Sequence, residues 1–181
     1  MTMPSKFLLA LALVTVVLLV IVASQPSYFR IERSIIISAP PAELYAQVND
    51  LRQWQQMSPY VKLDLTAKYT FAGPSAGPGA SLAWVGNNQV GVGRITITES
   101  RPFELVRMRL EFAKPFACTN AVEFTFRQTG TQTAATWSMF GKHNFIGKAM
   151  ALVMDMDKLR GAQFEEGLAN LKSRSEATVS N

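Results

Sequence analysis

The sequence is poor in the residues that most often carry enzyme chemistry. Its 181 residues include one cysteine, Cys118, and one histidine, His143. A single cysteine excludes an internal disulfide framework and a multi-cysteine zinc site. A single histidine excludes a histidine-rich metal site, and a Ser-His-Asp triad would depend on His143 alone. We therefore expect no metal and no cofactor, and the composition disfavours a hydrolase or a metalloenzyme.

Charged side chains are also scarce. They make up 17% of the residues, against 48% hydrophobic residues, and this composition is not that of a disordered chain. The formal net charge of +5 comes from 18 basic and 13 acidic residues. Because the basic residues alternate with acidic ones instead of clustering, we expect no nucleic-acid partner.

One stretch, residues 7–23, has no charged residue at all. A helix of this length rises ~25 Å, close to the ~30 Å thickness of a hydrocarbon core. Pro26 follows the run, and Tyr28 and Phe29 lie where an interfacial aromatic belt would be. We predict an N-terminal segment over 1–27 with a single-pass membrane anchor over 7–23.

The anchor has an alternative, which is a signal peptide that is cleaved after the small residues at 22–24, leaving a secreted protein. The basic residues that flank the run are nearly balanced, with Lys6 before it and Arg30 and Arg33 after it. A short leading tail and a large following domain resemble a signal anchor. We therefore expect a protein of the cell membrane whose C-terminal domain lies outside the cytoplasm.

Beyond the anchor, the pattern predicts an α+β domain over 28–174 and a disordered tail over 175–181. Alternating apolar and polar residues favour an antiparallel sheet with one wet face. A helical pattern without proline continues from 145 to 174 and predicts one long covering helix of ~45 Å. The predicted strands are 31–38, 62–71, 80–85, 91–100, 105–112, 119–127 and 133–140, with two short helices over 42–48 and 51–57 after the first strand.

Several segments carry a resemblance to a known superfamily: Ile37–Tyr45, Asn49–Trp54, Gly93–Pro102, Met154–Lys158 and Phe164–Lys172. In these segments the sequence resembles the SRPBCC superfamily, which includes START lipid-transfer domains and birch-pollen allergens. It is most similar to bacterial polyketide cyclase/dehydrase-like proteins with an N-terminal membrane anchor. The resemblance implies a helix-grip fold, in which a curved sheet of about seven strands wraps around a long C-terminal helix and leaves an apolar cavity. Members share this cavity and not a set of catalytic residues.

The candidate site residues are the large apolar side chains that alternation places on the inner face, together with methionines of the helix. Aromatic rings and methionine suit a wall that adapts to its ligand, although plain core packing uses the same residue types. The expected cavity wall consists of Trp84, Met108, Phe112, Phe124, Trp137, Met139, Met150 and Met154.

Titratable residues give weaker candidates. Asp155 and Asp157 are two residues apart and cannot share one helix face as an acid/base pair. His143 is expected in an exposed turn before the long helix. Alternation places Glu99 on the inner face, at the cavity mouth or capping a turn.

The leading hypothesis is a membrane-anchored domain that binds or carries a hydrophobic small molecule or lipid without catalysis. Two alternatives stay open. One is an enzyme of the cyclase or dehydrase type, which would need convergent polar groups in the cavity, where the inner strand faces carry few. The other is a protein-interaction module, which would need an exposed apolar patch.

Overall fold

The computed structural model describes residues 3–179. The helices are α1 (Met3–Ser24), α2 (Pro41–Asn49), α3 (Leu51–Met57), α4 (Phe145–Val153) and α5 (Met156–Val179), with a short 3-10 helix at Val61–Leu63. The strands are β1 (Tyr28–Ile37), β2 (Lys68–Ala72), β3 (Ser81–Val85), β4 (Val92–Arg101), β5 (Leu105–Lys114), β6 (Cys118–Thr129) and β7 (Gln132–Lys142).

The seven strands form one antiparallel sheet in the order β1-β7-β6-β5-β4-β3-β2. One face of the sheet, which we call the inner face, is covered by α2, α3 and α5, and α5 packs mainly along β1. The α+β helix-grip arrangement expected from the sequence is therefore confirmed, including the two short helices after the first strand. Asp50 separates these helices, because its side chain accepts a hydrogen bond from the Arg52 backbone N–H and caps α3.

The N-terminal helix α1 is apolar on all sides. The segment Lys6–Ser24 has a mean hydropathy of 3.1, and its side chains from 6 to 21 are exposed. By length and composition it can cross a membrane as an anchor, and a signal sequence near an N-terminus would pass the same test.

The C-terminal helix is not continuous, so the prediction of one helix over 145–174 was wrong at residues 154 and 155. Met154 has an extended backbone, with φ −131° and ψ 128°. The Asp155 Oδ1 atom accepts a hydrogen bond of 2.9 Å from the Lys158 backbone N–H and caps the new helix α5. Aspartate is a preferred N-cap residue, and here this local preference ends α4 where the apolar spacing alone would continue it.

At its other end, α5 continues past residue 174 to Val179. Ser175 is fully buried, and its Oγ atom accepts a hydrogen bond of 2.9 Å from Gln47 Nε2 on α2. The Glu176 carboxylate accepts one of 2.8 Å from the Ser38 backbone N–H. The described part of 175–181 is thus helix that joins the domain, and residues 180 and 181 lie outside the described residues.

The second strand is shorter than the alternation over 62–71 predicted. The first half of the predicted range forms instead the 3-10 helix and a turn at Asp64. The Asp64 carboxylate accepts hydrogen bonds from the backbone N–H groups of Thr66 (2.9 Å) and Asn87 (2.6 Å). The Thr66 hydroxyl and these backbone N–H groups lower the pKa of Asp64. Leu65 is consequently 85% exposed, because aspartate that bonds to nearby backbone favours a turn over a strand.

An ion-pair cluster holds α5 against β1. The Arg33 guanidinium, on the inner face of β1, lies 2.9 Å from Asp157 Oδ2 and 2.8 Å from Glu165 Oε1. Gly161 lies between these two carboxylates along the helix, and a Cβ atom there would collide with the guanidinium. The hydrogen bond from Arg33 lowers the pKa of Asp157. We call this set of residues the Arg33 clamp.

The Arg33 clamp predicts a pH-dependent loss of stability for Asp157→Asn. A carboxyl group whose pKa is lower in the folded chain than in the unfolded chain stabilises the fold at pH values above the unfolded-state pKa. This stabilisation is lost as the pH falls through the folded-state pKa. The variant should therefore melt below the wild type at pH 7, and the gap should narrow as the pH falls below about 4, the ordinary pKa of an aspartate in an unfolded chain. The measurement is thermal melting of the detergent-solubilised full chain. Asp155→Asn is the control, since asparagine also caps helices; a gap for Asp157→Asn that is constant with pH would contradict the clamp.

Candidate ligand-binding site

Burial on the inner face changes along the strands. Near the middle of the sheet, a packed layer of aromatic rings joins the sheet to the helices. Trp137 of β7 stacks on Phe164 of α5, with ring centroids 4.4 Å apart and an interplanar angle of 8°. Phe124 of β6 lies 4.7 Å from Trp137, and Trp54 of α3 lies edge-on to it at 6.5 Å. Phe124 and Trp137, both expected on the cavity wall, thus belong to this aromatic layer.

Two donors in the aromatic layer have no hydrogen-bond partner among the described residues. They are the indole Nε1 atoms of Trp54 and Trp137, and both are buried. An unpaired buried N–H group costs about 1–3 kcal/mol, so these donors favour an acceptor atom in the interior.

Next to the aromatic layer lies a row of fully buried side chains across the strands. Met139 of β7 is opposite Val122 of β6, and Val122 is opposite Met108 of β5. All three are buried in the same core as the aromatic layer. Met108 and Met139 were expected on the cavity wall, and they lie between the aromatic layer and the end of the sheet described next.

Beyond this row, at the end of the sheet where Trp84 and Phe112 lie, the inner face is only half-buried. Trp84 and Phe112 meet edge to face with centroids 5.6 Å apart, and Trp84 Nε1 donates to the Val90 carbonyl at 3.0 Å. The Trp84 ring lies over Gly93, where a Cβ atom would collide with it. Leu110 lies beside them on the same face and is also half-buried. We call this end of the inner face, with Trp84, Leu110 and Phe112 as its wall, the open end.

The open end lies at the same end of the sheet as α1. Leu110 is opposite Asn120 of β6, Asn120 is opposite Gly141 of β7, and Gly141 is opposite Phe29 at the start of β1. The chain enters β1 directly from α1, so this row is the one nearest the apolar helix. Asn120 supplies a half-buried amide within an otherwise apolar row.

The two methionines expected from the C-terminal helix do not cover the packed core. Met150 is half-buried in α4, and Met154 is exposed at the break between α4 and α5. The cause is the position of α4, which has no buried residue and packs against α1. An open concavity of about 500 Å³, lined by residues 151–157, lies on the surface at this break.

Glu99 is not on the inner face, so that sequence prediction was wrong. A β-bulge lies between Ile97, which is opposite Met108, and Glu99, which is opposite Arg107. The extra residue of a bulge reverses the alternation that follows it. Glu99 therefore forms an ion pair with Arg107 on the outer face, and Ser100 takes the next inner position.

Ser100 is a polar inner residue that sequence alternation missed. Its hydroxyl lies 2.6 Å from the Tyr45 hydroxyl and donates to Asn49 Oδ1 at 2.7 Å. Alternation could not reveal it, because nothing in the strand sequence marks the bulge. The partners of Ser100 come from α2, so this cluster fixes α2 on the sheet.

His143 has a structural environment instead of an exposed turn. Its ring stacks on Phe29 with centroids 4.7 Å apart, and its backbone N–H donates to the Ser27 carbonyl at 2.8 Å. Burial, and to a smaller extent the Lys148 ammonium, lowers the pKa of His143, so the ring is neutral at pH 7. Within residues 3–179 no three histidine, cysteine or carboxylate side chains are grouped as metal ligands would be.

The comparison with protein families identifies this arrangement. The model of the family "Polyketide cyclase / dehydrase and lipid transport" matches residues 28–176. The chain belongs to this family. The match confirms the SRPBCC resemblance, and together with the fold it supports a domain that binds a hydrophobic ligand. None of the curated proteins that were compared with the chain matches it.

Solved structures share the fold at low sequence identity. TTHA0849 from Thermus thermophilus has 18% identity and a TM-score of 0.58, over 83% of this chain and 99% of that chain. CV1439 from Chromobacterium violaceum has 14% identity and a TM-score of 0.58, over 83% and 98%. The di-domain ARO/CYC protein StfQ from the steffimycin biosynthetic pathway has 10% identity and a TM-score of 0.65, over 86% and 53%. At these identities the likeness concerns the fold alone.

Because burial differs along the inner face, truncating its side chains to alanine should lower the free energy of unfolding by different amounts. Phe164→Ala removes the ring stacked on Trp137 and should cost about 3–5 kcal/mol of unfolding free energy. Phe112→Ala, at the open end, should cost well under half of that, because its ring is only half-buried. Denaturant titration of the detergent-solubilised full chain measures both. Equal losses would mean that the open end is packed as tightly as the aromatic layer.

Proposed function

We propose that this protein is a membrane-anchored binding or carrier domain for a hydrophobic small molecule or lipid, without catalysis. The observation that carries the proposal is the burial gradient, from the packed aromatic layer to the half-buried apolar wall at the open end. A site of this kind offers apolar area to a ligand and leaves it a way in. Trp84, Leu110 and Phe112 are its wall, and Met108 and Met139 lie deeper.

The polar groups suit a ligand that is apolar over most of its length and carries one oxygen-bearing group. Asn120 presents both a donor and an acceptor within the row nearest α1. The unpaired indole donors of Trp54 and Trp137 favour an acceptor deeper in the domain. A few placed polar groups in an apolar site fix the orientation of a ligand.

The inner-face polar groups support binding over chemistry. Arg33 is engaged by two carboxylates, and Ser100 is engaged by Tyr45 and Asn49. The amide of Asn120 does not titrate and cannot act as a general acid or base near neutral pH. The proposal therefore assigns these groups to holding the fold and orienting a ligand.

The membrane part of the proposal places α1 across the bilayer and the domain outside the cytoplasm. It is supported by the apolar surface of α1, which the domain leaves uncovered from 6 to 21. Tyr28 follows α1 and is itself exposed, with the Lys142 ammonium 5.2 Å from its ring centroid. Aromatic and basic side chains are typical of the interface between hydrocarbon and water.

Binding at the open end can be tested with a photoactivatable fatty acid in vesicles that hold the full chain. We expect crosslinks in peptides from β4, β5 and β6, located by mass spectrometry. Phe112→Ala should lower their yield up to about tenfold, which corresponds to about 1.4 kcal/mol of lost contact. Phe140→Ala is the matched control, since Phe140 is a half-buried ring on the outer face under Arg30. Wild-type protein without crosslinks in the sheet would defeat the proposed binding site.

The anchor can be tested by the intact mass of the protein extracted from membranes. The apolar stretch is long for a signal peptide, so we expect the N-terminal segment to remain attached. Extraction should require detergent and resist alkaline carbonate. A soluble mature species that begins near Gln25 would instead indicate cleavage and a secreted domain.

A further inference from the structure

The apolar surface of α4 has no partner in the described part of the domain. The side chains that exceed two-fifths exposure lie at both ends of the helix: Phe145 is 51% exposed, Ile146 44%, Leu152 44% and Val153 81%. Ile146, Leu152 and Val153 follow Phe145 by one, seven and eight residues, so all four side chains lie on one side of the helix. Gly147 and Ala151 occupy the opposite side, and Lys148 lies at the edge of the apolar side.

A nine-residue helix of this kind needs a cover. Isolated helices this short are marginal in water, and helices in proteins are stabilised mostly by packing of an apolar face. None of the α4 residues is buried within the structure. Asn144 caps its start, with Oδ1 accepting from the Gly147 backbone N–H at 2.8 Å, but a cap contributes only about 1 kcal/mol.

The position of α4 indicates what covers it. Lys148 Nζ donates to the Ala23 carbonyl at 2.9 Å, so α4 lies beside the last turn of α1. Just before α4, the His143 backbone N–H donates to the Ser27 carbonyl, and the ring of His143 stacks on Phe29. These contacts hold α4 at the level where the apolar helix ends, which is the headgroup level of a bilayer that α1 spans.

We infer that α4 is an interfacial helix, which lies on the bilayer surface beside α1 with Phe145, Ile146, Leu152 and Val153 in the boundary between headgroups and acyl chains. This inference rests on the proposed anchoring by α1. Short amphipathic helices with a basic side chain on the polar side bind in this manner. Lys148 and Lys142 lie at the same level and suit anionic headgroups.

The interfacial position of α4 has a consequence for the open end. β7 leads directly into α4, and Gly141 at the end of β7 lies in the row with Asn120 and Leu110. The open end is thereby held at the bilayer surface on two sides, by α1 before β1 and by α4 after β7. The ligand class that reaches it most directly is one dissolved in the outer part of the bilayer.

Depth-dependent quenching in vesicles tests the inference on the full chain. In a Cys118→Ser background, a single cysteine is introduced at Val153 and labelled with an environment-sensitive fluorophore. Val16→Cys, in the middle of α1, reports on the anchor, and Ala177→Cys, exposed near the far end of α5, is the matched control. We expect the label at 153 to be quenched most by lipids spin-labelled near the headgroup, the label at 16 by lipids labelled near the acyl end, and the label at 177 by neither.

Three other results would overturn the inference. Lipid quenching at 16, together with a label at 153 that is quenched by aqueous iodide and not by lipid, would leave the anchor intact and place α4 in water. A label at 153 that is shielded from aqueous iodide but not quenched by lipid would show a protein cover, such as a second copy of the chain. No lipid quenching at 16 would defeat the anchor itself, and with it the membrane part of the proposed function.

Discussion

β1 pairs with β7 along its whole length, from Tyr28 opposite Lys142 to Ile37 opposite Thr133. This pairing joins the first strand of the domain to the last, so the end of α1, the start of β1, the end of β7 and the start of α4 all meet at one corner of the sheet. The half-buried row of the inner face ends at the same corner. The strand pairing therefore brings the apolar helix α1, the half-buried wall of the open end and the uncovered helix α4 together at one corner, where the contacts of Lys148 and His143 add to it.

The break at Met154 and Asp155 gives the two C-terminal helices different sources of stability. α5 obtains its stability from the domain, through the Phe164–Trp137 stack and the Arg33 clamp on β1. α4 obtains none from a buried side chain and is left at the corner with α1. In a continuous helix, α4 would share the axis of α5, whereas the break before the Asp155 N-cap allows α4 to have a different direction. The interfacial inference depends on this break, because the break separates α4 from α5.

Alternation predicted which residues share the inner face, because the side-chain period of a strand is two wherever the ladder is regular. It failed at Glu99, where a bulge reverses the alternation, and at Leu65, where Asp64 makes a turn. Alternation also does not predict how deeply each inner-face side chain is buried. Phe112 and Phe124 are equivalent by pattern, yet Phe112 is half-buried and Phe124 lies in the aromatic layer. Asn120 was missed for the same reason, since its place in the row of the open end comes from its neighbours on other strands.

A site that opens toward a bilayer faces a different energy balance from one that opens to water. An apolar ligand leaving water gains about 25 cal/mol for each Å² buried, but a ligand leaving a hydrocarbon phase gains little of this, because both environments are apolar. Selectivity must then come from shape and from polar contacts that the lipid tails cannot offer. Asn120 and the unpaired indole donors of Trp54 and Trp137 are such groups. Modest affinity would suit the proposed carrier role, since a ligand held by few polar contacts is also released, and under that proposal the polar contacts would decide which of the dissolved molecules is carried.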